Sequence, residues 1–231
     1  MNFVSKKRGI FNRFLDARWA WDLIQGPIYN RLVFKAASEL YQHFVREIQP
    51  PENAKILDVG SGPGFLTLIL AKKNPTVSVV GVDYSPTQVR AANHLRVQNQ
   101  IHNCSFRQGN VMELPFKDAS FDIVISVAAI KHWPDGNRGL QEIRRVLRQN
   151  GPAFIAEADR DATDEEIYWF ARKFTAWYVW DRFMKWYLRR VVFGQSYTRK
   201  EAEWMARAGG FSQVLVEKVS ESPFFIMNLR K

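Results

Sequence analysis

A short segment that joins an apolar run to a glycine-rich turn carries the residues best suited to bind a ligand. Residues 56–59 are apolar apart from Asp58, and Gly60, Gly62 and Gly64 follow at once. Glycine lets a backbone turn sharply and approach a ligand closely, because it has no Cβ. The N-terminus of the helix that we expect next supplies unpaired N–H groups and positive potential. The segment is therefore predicted to be a ligand-binding turn.

The spacing of these glycines separates two kinds of ligand. Dinucleotide-binding turns have the pattern G-x-G-x-x-G and hold a pyrophosphate, whereas this chain has G-x-G-x-G. Asp58 lies two residues before the first glycine. A carboxylate there repels a pyrophosphate but attracts a ligand that carries an ammonium and a sulfonium. The pattern therefore favours S-adenosylmethionine over NAD.

A second acidic residue, Asp83, ends the next apolar run within the sequence Gly-Val-Asp-Tyr-Ser. At the end of a second strand, a carboxylate accepts hydrogen bonds from ribose hydroxyls in dinucleotide sites. Either motif alone is also explained by structure, since a strand-end aspartate often caps the next helix. Their order and spacing together predict a cofactor site. Its residues from these two motifs are Asp58, Gly60, Ser61, Gly62, Gly64, Asp83 and Tyr84.

Short apolar runs alternate with helical patterns around these motifs, which predicts a mostly parallel sheet covered on both faces. Gly151 is expected to end the third helix, and Thr198 with Glu201 to cap a later one. A β-hairpin of strands 213–219 and 224–230 is expected to finish the chain. The other predicted strands are 56–59, 77–82, 105–108, 121–127 and 153–158, and the helices are 64–73, 86–99, 136–149 and 199–208.

Two regions fall outside this alternation. Apolar and aromatic residues spaced three and four apart predict helices at 10–25 and 30–49. Residues 1–50 are therefore predicted to be an N-terminal helical cap on a main domain at 51–231, with a helical lid inserted at about 160–197.

The net charge and the cysteine content indicate which partners and which cellular compartment to expect. The formal net charge of +10 favours anionic partners, although a basic solvated surface explains it equally well. The single Cys104 excludes an internal disulfide framework and suits a reducing cytoplasm. No apolar run approaches the length of a spanning helix, and no secretory signal is recognised. We therefore expect a cytoplasmic protein, with peripheral contact to the inner membrane surface as an option.

From about Lys55 to Asp159, the chain resembles the class I S-adenosylmethionine-dependent methyltransferases. The resemblance is greatest to the branch with the ubiquinone/menaquinone biosynthesis and phospholipid N-methyltransferases. Besides the glycine turn, residues 109–116 are similar to G-D-A-x-x-L-P-F, 120–124 to S-F-D-x-V, and 142–152 to E-x-x-R-V-L-x-P-G-G. This resemblance implies a Rossmann-like three-layer sandwich with a seven-stranded sheet and an antiparallel C-terminal strand. Its motifs are specific for the cofactor and not for the acceptor.

The resemblance also implies individual roles. Asn110 stands where the family usually has aspartate, but an amide oxygen can still accept from the adenine amino group. Lys131 departs from a common H-H-W-x-D form at 131–135. The residues placed against the cofactor are Asp58, Gly60 and Gly62 at the methionine moiety, Asp83 at the ribose, Asn110 and Val111 at the adenine, and Ser126 beneath the methionyl group.

Residues that could act on the acceptor are few, because a general base is needed only if the acceptor atom carries a proton. His132 and Asp159 each follow a strand at the edge where open α/β domains bind ligands; structural roles are the alternative for both. Tyr29 resembles the tyrosine that many relatives lay over the cofactor, and a packing role is equally open. No acidic or histidine cluster has metal-ligand spacing, so no metal is predicted.

Residues 168–193 are rich in tryptophan, tyrosine and phenylalanine, interleaved with arginine and lysine. Three interpretations are open: a buried helix whose cations reach outward, an apolar tunnel or membrane-surface contact, or stacking against nucleic acid.

The function hypotheses follow from these alternatives. The first is methyl transfer to a small or lipid-like acceptor. An RNA methyltransferase is the second, but residues 126–129 read Ser-Val-Ala-Ala where an N-P-P-Y type motif would stand, so nucleic acid is the less favoured partner. A non-catalytic cofactor-binding subunit is the third. The sequence gives no signal for the oligomeric state.

Overall fold

The structure is a computed structural model that describes residues 41–42, 44–172, 185–186, 188–220 and 222–231. The helix predicted at 10–25, most of that at 30–49 and the middle of the predicted lid lie outside the described residues. The division into a cap, a main domain and a lid therefore stays a prediction.

In the described part of the chain, seven strands form one sheet in the order β3-β2-β1-β4-β5-β7-β6. The strands are β1 (Lys55–Val59), β2 (Ser78–Asp83), β3 (Cys104–Gln108), β4 (Ile123–Val127), β5 (Pro152–Ala158), β6 (Gln213–Lys218) and β7 (Phe224–Arg230). Strands β1 to β5 pair in parallel, and β7 runs antiparallel to both of its neighbours. The predicted seven-stranded sheet with an antiparallel C-terminal strand is confirmed. Since β1 lies between β2 and β4, the strand order reverses there, which is where such sheets bind ligands.

Helices cover both faces of the sheet. They are α1 (Phe65–Lys73), α2 (Pro86–Gln98), α3 (Gly136–Val146), α4 (Asp164–Ala171) and α5 (Arg199–Ala208), with a 3₁₀ turn at Ile130–His132 and a π-helix at Leu188–Phe193. Residues 41–42 and 44–47 are also helical. The predicted Thr198–Glu201 capping box is confirmed at α5, because each side chain accepts a backbone N–H of the other residue. Within the described residues, no helix combines the length and apolar character needed to cross a bilayer.

The core divides between the two faces. On one face, the side chains of Leu57, Val124 and Ile155 pack with Ile143 of α3 and Met205 of α5. The other face packs β1 and β2 against α1, α2 and residues 44–48. Strands buried on both faces explain the near-continuous apolar runs in the sequence.

Two boundaries differ from the prediction. The fourth strand begins at Ile123 instead of position 121, because Phe121 forms an isolated bridge with Leu147. The same bridge draws Leu147 into an extended conformation, so α3 ends at Val146 and not at 149. The left-handed residue after the helix is Asn150, with φ 61°, so Gly151 is not the helix-ending residue that was predicted. Glycine is required there for space, since a Cβ would lie 2.9 Å from the Asp122 carbonyl oxygen.

Candidate cofactor site and its acceptor side

A cavity of about 410 Å³ opens at the carboxyl ends of β1, β2 and β4, at the reversal of strand order. Both predicted motifs border it, together with the segment after β3 and the turn after β4. The described lining residues include Tyr41, Asp58, Gly60, Ser61, Gly62, Asp83, Tyr84, Gln88, Asn110, Val111, Val127, Ala128, Ala129, His132, Trp133 and Pro134.

The glycine turn fits against the turn that follows β4. The backbone N–H groups of Gly60 and Ser61 donate to the Val82 carbonyl at 2.8 and 3.0 Å, which joins the turn to β2. Gly60 has φ 74°, and a Cβ there would lie 2.5 Å from the Cβ of Ala129. Gly62 also has positive φ, 53°, but a Cβ there would meet nothing within 4 Å. Gly60 therefore permits a close approach of two backbones, whereas Gly62 keeps open space beside the cavity.

Asp58 supplies the buried negative charge of the cavity. Only 2% of its surface is exposed, and its Oδ2 accepts a 2.6 Å hydrogen bond from the Thr67 hydroxyl. Burial raises the pKa of Asp58 to about 7, and the nearby charge of Asp83 adds to the rise, while the Thr67 hydrogen bond opposes it. Burial, and then the charge of Asp58, also raise the pKa of Tyr41. A cationic group beside Asp58 would stabilise its ionised form, so this end of the cavity favours an ammonium or sulfonium.

Asp83 ties the end of β2 to the glycine turn. Its Oδ2 accepts from the Gly62 N–H at 2.8 Å and its Oδ1 from the Ser85 N–H at 2.9 Å. A carboxylate has about four lone-pair sites, so a group of this kind is suited to accept hydrogen bonds from ribose hydroxyls as well. The exposed Tyr84 and the buried Gln88 lie at the same part of the wall.

The segment after β3, where adenine is predicted to bind, is held by side chains of α3. The Asn110 Oδ1 accepts from the Met112 N–H at 3.0 Å, which fixes the orientation of its amide. Glu142 accepts the Leu114 N–H at 2.9 Å. Arg145 donates to the carbonyl oxygens of Leu114 and Phe116 at 3.0 and 2.8 Å. The Arg145 hydrogen bond lowers the pKa of Glu142. The E-x-x-R spacing in the sequence thus orients the segment that carries Asn110.

The side of the cavity where the acceptor is predicted, called here the acceptor side, is formed by the turn after β4. Ala128 has the positive φ of 55°, a strained conformation that is held by its N–H bond to Ala156 O at 2.8 Å. The 3₁₀ turn that follows brings the half-buried His132 into the cavity wall. Lys131 points elsewhere: its Nζ lies 3.0 Å from Glu157 Oε1, with side-chain exposures of 8% and 0%. Glu157 also accepts the Lys131 and Ala158 N–H groups, so this buried pair fixes the turn.

Three predicted site residues lie outside the cavity wall. Ser126 is fully buried and donates to the Val59 carbonyl at 2.7 Å, so it supports the glycine turn from beneath. Gly64 starts α1 with φ 83°, and a Cβ there would lie 2.5 Å from the Phe106 ring. Asp159 is buried, pairs with Arg199 at 3.0 Å and accepts the Asp161 N–H. Its carboxylate makes structural contacts away from the cavity wall, and its action on the acceptor stays a prediction. Tyr29 lies outside the described residues.

Sequence reasoning missed several wall residues. Tyr41 approaches Asp58 in the described chain, whereas Tyr29 was the predicted tyrosine. Thr67 was not predicted as the partner of Asp58, although it lies in the first turn of α1, where its buried hydroxyl reaches the Asp58 carboxylate on β1. The positive φ of Ala128 could not be predicted from the sequence, because alanine does not favour this conformation and only the surrounding structure imposes it.

Other polar groups bear on what the cavity can hold. The buried Ser61 hydroxyl has no hydrogen-bond partner in the described structure, so it can bond to a ligand. Among the described residues, no three histidine, cysteine or acidic side chains lie close enough to hold a metal ion. The absence of a metal stays a prediction.

Fold and site together define a class. The cavity lies at the strand reversal of a Rossmann-like sheet, between a glycine turn, a buried carboxylate suited to a cation and a strand-end aspartate. That combination fits S-adenosylmethionine, and the orphaned Ser61 hydroxyl and the open space at Gly62 accommodate a ligand there.

Comparisons with known proteins give the family. A family model described as "Methyltransferase domain" matches residues 51–210, and the chain belongs to this family, whose cofactor is S-adenosylmethionine. It is 30% identical over 165 residues to 2-methyl-6-phytyl-1,4-hydroquinone methyltransferase 2 of Oryza sativa subsp. japonica, covering 71% of this chain and 41% of that protein. It is 34% identical over 119 residues to demethylmenaquinone methyltransferase of Lactobacillus johnsonii, covering 51% and 49%. The chain thus matches less than half the length of either relative.

A solved structure agrees on the architecture. A SAM-dependent methyltransferase from Aquifex aeolicus aligns with a TM-score of 0.62 at 16% identity, covering 95% of this chain and 96% of that one. At this identity the likeness shows the fold alone. The predicted resemblance, the fold class and the cofactor are confirmed.

Proposed function

We propose that the protein transfers the methyl group of S-adenosylmethionine to a lipid-like acceptor with a phenolic or hydroquinone ring. The observation that carries this proposal is the acceptor side of the cavity. Beyond Asp58, its wall is made of Val127, Ala129, Trp133 and Pro134, with the imidazole of His132 among them. An apolar wall with one titratable group suits a flat ring that bears a hydroxyl. Relatives named for phytyl-hydroquinone and demethylmenaquinone support the same class.

The charge of the wall speaks against the RNA alternative. Among the described residues that line the cavity, none is a lysine or an arginine, and two are aspartates. A nucleic-acid backbone binds chiefly through cations that neutralise its phosphates. A wall with this charge favours an uncharged acceptor beside a cationic cofactor.

When bound, S-adenosylmethionine supplies an electrophilic methyl group on a sulfonium, which leaves as a neutral thioether. The protein's part is to bind and orient. Asp58 would hold the cationic end, Asp83 the ribose, and Asn110 with Val111 the adenine. The apolar side chains exclude water and fix the acceptor ring, and such positioning can supply much of the rate. His132 would accept the hydroxyl proton as the acceptor oxygen, or a ring carbon conjugated to it, gains the methyl group.

The first test is binding of S-adenosylmethionine by calorimetry, with NAD as the control. Methyl transfer from the labelled cofactor is then compared between a prenylated 1,4-naphthohydroquinone and a single-stranded RNA. We expect the hydroquinone to be labelled, and His132→Gln to lower kcat by roughly 10²–10⁴-fold with unchanged cofactor affinity. Labelling of the RNA instead would make the protein an RNA methyltransferase. Cofactor binding without transfer to either acceptor would favour a non-catalytic subunit.

A further inference from the structure

Two segments that are distant in sequence meet beside the acceptor side and expose their largest rings. In α4, Trp169 is 45% exposed, and Trp186, which precedes the π-helix, is 55% exposed. The Tyr168 ring joins the segments, because the Lys185 Nζ lies 4.2 Å from its centre, and the Arg172 guanidinium of its own segment lies 5.9 Å from it. The exposed residues Trp169, Arg172, Lys185, Trp186 and Arg190, with Tyr168 between them, are called here the aromatic–basic surface.

The other sides of these segments are already occupied. Phe170 and Phe193 are buried, and they pack edge to face around a small core with Phe224. Val127 packs against this core and also lines the cavity. A buried role therefore explains the phenylalanines of the segment but not the exposed tryptophans. The aromatic–basic surface therefore lies on segments that contribute to the small core against which Val127 of the cavity wall packs.

Charge is distributed unevenly along α4. Its first turn is acidic, but two of these carboxylates are paired with cations. The Asp164 Oδ1 lies 3.4 Å from the Arg189 Nε, and Glu166 pairs with Lys218. Arg172 and Lys185 lie at the opposite end, beside the tryptophans. Tryptophan rings prefer the headgroup level of a bilayer, and nearby lysine and arginine are attracted to anionic lipids. A nucleic acid would need a cationic track that continues to the cavity, and the described cavity wall is not cationic.

We propose that the aromatic–basic surface docks the protein on an anionic lipid bilayer, with Trp169 and Trp186 at the headgroup level and Arg172, Lys185 and Arg190 facing the lipid charges. This places the acceptor side next to the membrane. The benefit to catalysis rests on the proposed function, since only a lipid-like acceptor would be collected from a bilayer. The docking itself is independent of methyl transfer and is tested without an acceptor.

The test is sedimentation of the full chain with phosphatidylcholine vesicles, with and without phosphatidylglycerol. We expect binding to the anionic vesicles and a loss of roughly tenfold or more in apparent affinity for Arg172→Glu/Lys185→Glu. The variant Trp169→Ala/Trp186→Ala should lose a similar factor at every salt concentration. The loss of affinity in Arg172→Glu/Lys185→Glu, by contrast, should become smaller as the salt concentration rises, because salt screens the charges.

Matched controls separate this surface from net charge and from exposed tryptophan in general. Lys72→Glu/Lys73→Glu makes the same change in charge at the end of α1, and Trp204→Ala removes a ring that is 42% exposed on α5. Both should retain vesicle binding, and all variants should retain cofactor binding as proof of folding. Equal losses in the control variants, or tighter binding to single-stranded RNA than to the anionic vesicles, would overturn the docking proposal. Vesicle binding without labelling of the hydroquinone would instead overturn the proposed function alone.

Discussion

The two sides of the cavity are built by different means. At the glycine turn of the cofactor side, close backbone approach and backbone N–H groups hold the structure, as where Asp83 accepts from Gly62 and Ser85. Around the turn after β4 and the end of β5, pairs of side chains far apart in sequence do so. Lys131 pairs with Glu157, Asp159 with Arg199 at 3.0 Å, and Arg160 with Glu201 at 2.5 Å.

This difference decides how each side tolerates change. A backbone turn depends on glycines at fixed positions, and few other residues reproduce their conformation. A side-chain pair can be replaced by another pair of similar volume, including an apolar one. The cofactor side is therefore constrained residue by residue, whereas the acceptor side can change its chemistry while it keeps its shape.

The largest expected effect tests the acceptor side. Lys131→Met leaves the buried Glu157 charge without its counterion, which should lower the free energy of unfolding by about 3–5 kcal/mol. Urea denaturation measures this change. Replacing both partners, Lys131→Met/Glu157→Met, should recover part of the loss, because no buried charge is left without a counterion, although the Lys131 and Ala158 N–H groups lose Glu157 as an acceptor. If the double variant were as unstable as the single one, side-chain pairing would not be what holds this side.

The second prediction tests the cofactor side through two neighbouring glycines. Gly60→Ala places a methyl group against Ala129 in addition to the strain of its positive φ, so it should cost about 2–4 kcal/mol of stability. Gly62→Ala carries the strain without the clash and should cost about 1–2 kcal/mol. Thermal unfolding of the cofactor-free variants compares them. Equal costs would mean that the turn and Ala129 can move apart, against the close approach described above.

The third prediction concerns the ribose position. Asp83→Ala should weaken S-adenosylmethionine binding by about 1.5–3 kcal/mol, measured by calorimetry, because charged hydrogen-bond acceptors are lost. Asp135→Ala is the control, since Asp135 caps α3 through the Arg138 N–H and does not line the cavity. It should lower stability but leave affinity intact. An unchanged affinity for Asp83→Ala would place the ribose elsewhere.

The same contrast explains what the sequence could predict. The glycine turn, Asp58 and Asp83 lie in short contiguous motifs whose geometry follows from a strand, a turn and a helix, so their place at the cavity was predictable. Asp159 was assigned to the acceptor side because it ends β5 at the right edge. The structure pairs it with Arg199, 40 residues later, and no local sequence pattern reports such a pairing.

The smallest expected effect couples the cofactor side to pH. Burial raises the pKa of Asp58 to about 7 from 3.8, so the folded, cofactor-free protein holds this proton more tightly than the unfolded chain. Between pH 3.8 and about pH 7 the free energy of unfolding should therefore fall as pH rises. Above about pH 7 the contribution of Asp58 to it should be constant. A cationic cofactor favours the ionised form, so its binding should release a proton below pH 7, and affinity should rise about tenfold from pH 6 to pH 8.

Calorimetry in buffers of different ionisation enthalpy measures the proton release directly. Asp58→Asn removes the titrating group while it keeps the shape, so its affinity should be weaker at pH 8 and nearly independent of pH. Thr67→Val removes the hydrogen bond that lowers the pKa of Asp58, and it should move the rise in affinity to higher pH. If affinity did not change with pH in the unaltered protein, the cationic end of the cofactor would not lie beside Asp58. The cofactor side would then be defined by its backbone turn alone.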